Sequence, residues 1–105
     1  DAYYSLEKYP EAIKDYTKVI KLNPKDAEAY GKRGSLYAKL EKYDQAIKDL
    51  TKAIEFGADS QAYYFRALAY YKNSNKTKAI IDLKKAANLG NEKAQDLLIE
   101  LGETW

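Results

Sequence analysis

The chain has 105 residues, 46% hydrophobic and 32% charged, with eleven tyrosines; that is room for one domain with its own core, and too aromatic a mixture for a disordered segment. Its 18 basic against 16 acidic residues leave a net charge of +2, which argues against the concentrated basic face of a nucleic-acid binder. With neither cysteine nor histidine it lacks a disulfide frame, a thiolate metal site and an imidazole base, and no apolar run nears the roughly 20 residues of a membrane span.

Apolar spacing and turn residues predict helices over residues 1–6, 11–22, 27–40, 44–56, 60–73, 76–89 and 92–101. The first break falls before Pro10, whose missing N–H suits a first helical turn. Asn23-Pro24 stops the second helix, because a residue before proline is pushed out of the α region. Asp26, Asp59 and Asn91 stand where N-caps are expected, and Gly57 and Gly90 where a left-handed C-cap is expected. Asn73-Ser74-Asn75 is a turn cluster. In the last segment Ala94, Leu97, Leu98 and Leu101 make one apolar stripe, backed by Glu92, Lys93, Asp96 and Glu100. That is the pattern of a helix covering the end of a stack, closed by Gly102 and followed by a short tail with Trp105.

A repeat underlies these elements. Residues 9–22 and 43–56 are identical at eight of fourteen positions, and residues 76–89 form a third copy. The anchoring alanines, Ala12, Ala46 and Ala79, are spaced by 34 and then 33. Upstream, Tyr30, Gly34 and Tyr37 match Tyr63, Ala67 and Tyr70. Each set puts ring, small residue and ring on one helical face, where a neighbouring helix approaches closely.

The chain resembles the tetratricopeptide repeat family, whose first helix carries aromatic, small and aromatic residues and whose second carries Ala with a large apolar residue four later. Ala12 with Tyr16, Ala46 with Leu50 and Ala79 with Leu83 fit that pattern. Tyr30 and Tyr63 stand where the family often has Trp, and Arg33 and Arg66 where it usually has Leu. The resemblance implies an all-α, right-handed superhelix of antiparallel helix pairs, about 2.5 repeats plus a C-terminal capping helix. The expected division is an array over 1–93 (a truncated repeat 1–26, repeats 27–59 and 60–93), then a capping helix and tail over 94–105. In that register Tyr3 matches Tyr37 and Tyr70 without its companion ring upstream, so the chain is expected to be part of a longer protein.

By the same register the concave groove takes Tyr4, Glu28, Lys32, Ser35, Lys39, Gln61, Tyr64, Phe65, Leu68, Tyr71 and Lys72, with Asp1, Ser5 and Gly31 beside them. Tyr64 and Phe65 are binding anchors if exposed and core if not. Tyr71 leans to the core, since it adjoins Tyr70. One subfamily grips acidic chaperone C-termini with a clamp of Lys, Asn, Asn, Lys and Arg. Four of the five positions fall within this sequence, at Asp1, Lys32, Gln61 and Phe65, the first lysine's place lying ahead of it; of the four only Lys32 is cationic, and a ring replaces the guanidinium. The clamp is absent. Arg33 and Arg66 are expected to lay their stems on neighbouring rings and pair with local acids. Asp15, Asp49 and Asp82 alternate with lysines and read as a solvated face with weak pairs such as Asp15–Lys18.

These features predict a non-catalytic scaffold or adaptor holding a protein or peptide, with no cofactor, no metal, no nucleic acid and no membrane insertion. The serines lack a histidine, and there is no glycine-rich phosphate loop. The alternatives are a homo-oligomer assembled through the exposed N-terminal flank, and an accessory domain of a larger enzyme or secretion complex.

Overall fold

A computed structural model describes the backbone of residues 2–105 and the side chains of residues 8–105. Six helices follow one another: α1 (Ala2–Leu22), α2 (Ala27–Lys39), α3 (Tyr43–Glu55), α4 (Ser60–Lys72), α5 (Lys76–Asn88) and α6 (Glu92–Glu100). The described residues contain no strand. Each helix packs on the next, and α2 also meets α4. The result is the expected helical-repeat solenoid of about two and a half repeats, closed by a C-terminal helix, with extents of 40 × 31 × 22 Å.

The helix ends follow from their residues. The side chains of Asp26, Asp59, Asn75 and Asn91 each accept a hydrogen bond from a backbone N–H of the first turn that follows, supplying acceptors for donors a helix start leaves unpaired. Five helices end alike. The backbone N–H groups of Lys42, Ala58, Asn75, Asn91 and Glu103 donate across the turn to the carbonyls of Tyr37, Ala53, Tyr70, Ala86 and Leu98, at 2.8–3.0 Å. Such a turn requires a left-handed residue. Gly57, Gly90 and Gly102 supply it with φ of 100°, 96° and 74°, but Glu41 and Ser74 hold it with φ of 62° and 64°. A side chain there costs about 1–2 kcal/mol. Glu41→Gly and Ser74→Gly are therefore each expected to raise stability by about 0.5–1 kcal/mol, read as a higher denaturant midpoint at unchanged slope.

The predicted break between residues 6 and 11 is absent, and α1 runs through Pro10. Leu6-Glu7-Lys8-Tyr9 is identical to Leu40-Glu41-Lys42-Tyr43, which forms the left-handed turn between α2 and α3. The same four residues are helical in one place and a turn in the other, so the tetrapeptide does not decide. The turn at Glu41 is strained and is repaid where two full helices pack across it.

Small residues set how closely the helices pack. A Cβ on Gly34 would lie 2.8 Å from Leu50 Cγ and 3.2 Å from the Ala46 carbonyl oxygen, so α2 and α3 approach to a distance only glycine permits. Ala46, Ala79 and Ala67 are fully buried. Ala12, their counterpart in α1, is only half-buried.

Two buried ion pairs recur in phase. Arg33 reaches Asp49 with Nε at 2.7 Å from Oδ2 and Nη2 at 2.8 Å from Oδ1. Arg66 grips Asp82 with the same two distances. Each guanidinium then donates through Nη1 to a threonine of the preceding repeat, Thr17 at 3.1 Å or Thr51 at 3.2 Å. Each also sits between two tyrosine rings: Tyr30 and Tyr37 around Arg33, Tyr63 and Tyr70 around Arg66, at 5.7–5.9 Å. The hydrogen bond to the aspartate, against the opposing effect of burial, raises the pKa of both arginines above the ordinary value.

The expectation that these arginines cover rings and pair with local acids is met. The aspartates correct another expectation. Asp49 and Asp82 are 6% and 4% exposed, not part of a solvated face, because an arginine from the preceding helix folds over each one. Asp15, third of the set, is exposed as expected.

Candidate functional site

α1, α2 and the start of α4 enclose an open cleft of about 620 Å³. Glu28, Lys32, Ser35 and Lys39 from α2, with Gln61 and Phe65 from α4, line it. Six of the eleven residues predicted from the register are thereby brought together. Its floor is small or apolar, from Ala12, Tyr16, Gly31, Leu36, Leu50 and Ala62. Polar groups stand at the rim: Glu28, Lys32, Lys39 and Gln61 are all exposed. Lys39 holds its ammonium 5.6 Å from the centre of the Tyr9 ring. The Ser35 hydroxyl donates to the Gly31 carbonyl of its own helix at 3.0 Å, so it turns toward backbone.

A second depression of about 410 Å³ continues along α4 to the start of α6, sharing Asp59, Gln61 and Phe65 with the first and adding Tyr64, Glu92 and Lys93. The Tyr64 and Phe65 rings lie 5.7 Å apart, tilted by 55°. Both rings are half-buried. Tyr64 packs on the cluster of Ala67, Leu83, Ala86, Ala87, Ala94 and Leu98, and Phe65 on Leu50, Ala53 and Ala62. Each presents its other edge to a depression.

Leu68, Tyr71 and Lys72 line neither depression. Leu68 is half-buried and Lys72 exposed. Tyr71 is 49% exposed, contrary to its expected lean to the core, because Tyr70 takes the inward position beside Arg66. The side chains of Asp1, Tyr3, Tyr4 and Ser5 lie outside the described residues. The register missed Tyr16, Leu36 and Asp59. Tyr16 comes from a second-helix position and Asp59 from a cap, whereas the inward-facing rule counts only first helices.

Among the described residues no three carboxylates gather to hold a metal ion, no buried side-chain polar atom lacks a partner, and no helix is long and apolar enough to cross a membrane. The arrangement offers an apolar floor, two half-buried rings and a rim of mixed charge.

The chain is similar to Hsp70-Hsp90 organizing protein 1 of Glycine max, 56% identical over 36 residues, and to its namesake in Arabidopsis thaliana, 51% identical over 37. It is also similar to the Hsp70-Hsp90 organizing protein of Triticum aestivum, 50% identical over 36 residues. These matches span 34–35% of this chain and 6% of each relative. A family model described as TPR repeat matches residues 1–41, and two described as tetratricopeptide repeat match residues 27–56 and 60–91. The last two fall on α2 with α3 and on α4 with α5, the helix pairs whose arginine–aspartate bonds recur in phase, and with that register the chain belongs to the tetratricopeptide repeat family.

Proposed function

We propose that the chain is a non-catalytic scaffold or adaptor that takes an extended or helical peptide along the cleft between α1, α2 and α4. Tetratricopeptide repeats are in general non-catalytic modules for protein–protein interaction. The cleft carries the reading: an apolar floor beneath exposed Lys32, Lys39, Glu28 and Gln61 suits a segment whose side chains alternate between greasy and polar. Phe65 and Tyr64 anchor it with their open edges. The division into an array over residues 1–93 and a cap over 94–105 belongs to the same reading. The relatives' names couple them to Hsp70 and Hsp90. That partnership is not carried over, since Phe65 stands where the chaperone clamp needs a guanidinium.

Peptides selected from a displayed library on the immobilised protein test this reading. Lys32 is exposed and forms no ion pair among the described residues, so Lys32→Glu leaves the fold intact. It is expected to weaken the selected peptides about tenfold, roughly 1.4 kcal/mol. Gln61→Ala should weaken them less. Selected peptides that bind both variants as well as the parent place recognition elsewhere on the molecule.

A further inference from the structure

Charge is shared unevenly between the two full repeats. Residues 27–59 hold six basic and six acidic side chains, whereas residues 60–91 hold six basic and one acidic. That one acid, Asp82, is buried against Arg66, so α4 and α5 expose lysines and no carboxylate. The outer face of the second helix carries the difference. By the offset of 33, Asp44, Lys48, Lys52 and Glu55 of α3 become Thr77, Ile81, Lys85 and Asn88 of α5. All eight are exposed. In α3 this row stays open with a repeat after it as well as helices before it, so it faces outward by its place on the helix. Lys52 meets Glu55 at 3.8 Å. Lys85 has Asn88 in that place and forms no ion pair among the described residues. Ile81, 61% exposed, stands between Lys78 and Lys85 at the spacing of one helical face.

We propose that the outer face of α5 is a docking surface for an acidic segment of a partner protein, one that carries an apolar side chain among its carboxylates. Lys76, Lys78 and Lys85 supply cations with no acid of their own to satisfy, and Ile81 supplies the apolar contact between them. Lys78 keeps its ammonium 5.6 Å from the centre of the Tyr70 ring, which holds it on this face while leaving its charge unpaired. A nucleic acid is the poorer occupant. Its phosphates gain nothing from Ile81, and the lysine that α1 and α3 carry at the same position, Lys14 or Lys48, would serve them better. An anionic bilayer is poorer too, since it would also meet the exposed carboxylate of Asp44, which accepts a hydrogen bond at 3.2 Å from Asn73 in the turn ahead of α5. This surface does not rest on the peptide-cleft reading, because no α5 residue lines either depression.

A fluorescein-labelled oligo-glutamate peptide with a leucine pair at its centre, added to the intact protein at low ionic strength, is the probe. Saturable binding is expected in fluorescence anisotropy, weakening as salt is added. Lys85→Glu should weaken it at least about tenfold, and so should Thr77→Asp combined with Asn88→Glu, which gives α5 the acids of α3. All three positions are exposed, so these variants should keep the circular dichroism and melting temperature of the parent. Ile81→Ser should weaken the leucine peptide about fivefold and leave an all-glutamate peptide unaffected. Lys32→Glu should leave binding unchanged while it weakens cleft peptides, which separates the two sites. Absence of saturable binding, or binding indifferent to Lys85→Glu or to Ile81→Ser, overturns the proposal. Loss of binding on Lys32→Glu moves the peptide to the cleft and overturns it too. A single-stranded oligonucleotide, or phosphatidylserine vesicles, held more tightly than the peptide and released by Lys85→Glu would assign the face to that occupant, and equally overturn it.

Discussion

Replacing Arg66 by alanine is expected to destabilise the protein by about 3–5 kcal/mol, measured by urea unfolding. The carboxylate of Asp82 is almost wholly buried and takes both of its close hydrogen bonds from that one guanidinium. Without Arg66 a charge remains in the interior with nothing to balance it, and that, more than the lost attraction, sets the magnitude. The change also removes the bond to Thr51, which ties α4 to the preceding repeat. Arg66→Lys should recover only part of the loss, because an ammonium cannot make the paired bonds of the guanidinium fork. The double change Arg66→Leu with Asp82→Leu should recover much more, since it removes the buried charge along with its partner. A single Arg66→Ala within about 0.5 kcal/mol of the parent would mean that Asp82 finds water or another donor there.

Leu98→Ala is expected to cost about 2–5 kcal/mol, while Ile99→Ala, one residue on, should fall within about 0.5 kcal/mol of the parent. Leu98 is 0% exposed and joins Ala67, Leu83, Ala86, Ala87 and Ala94 in one cluster, whereas Ile99 is 64% exposed. Deleting the leucine leaves a void between α6 and the last repeat. α6 is held to α5 by this packing and by one bond from the Gln95 side chain to the Ala87 carbonyl, at 3.0 Å. The Lys84–Glu103 ion pair, 3.3 Å long, is well exposed and adds little. If Leu98→Ala unfolds α6 alone, helicity should fall in a separate early phase. A single cooperative transition at lower denaturant instead joins α6 to the core of α4 and α5.

Much of this was legible in the residues. The period of 34 and 33 placed the helix pairs, and the Asp, Asn and Gly at their ends mark the caps and turns, because those features act over three or four residues. The small residues at Gly34 and Ala67 announced close approach, and Arg33 and Arg66 announced pairing with nearby acids. The polar face misled at Asp49 and Asp82. On a helical wheel each lies among lysines, and nothing local distinguishes it from Asp15. Tyr71 misled in the same way, since which of two adjacent rings turns inward depends on where the arginine beside them lies.

By itself the sequence determined the two full helix pairs and their order, since period and capping are written within a few residues of where they act. Only the tertiary structure decided which aspartates are buried and whether Leu-Glu-Lys-Tyr turns or continues as helix. Each of those outcomes depends on a helix distant in the chain. Arg33 lies sixteen residues from the aspartate it buries, and among the described residues no arginine reaches Asp15.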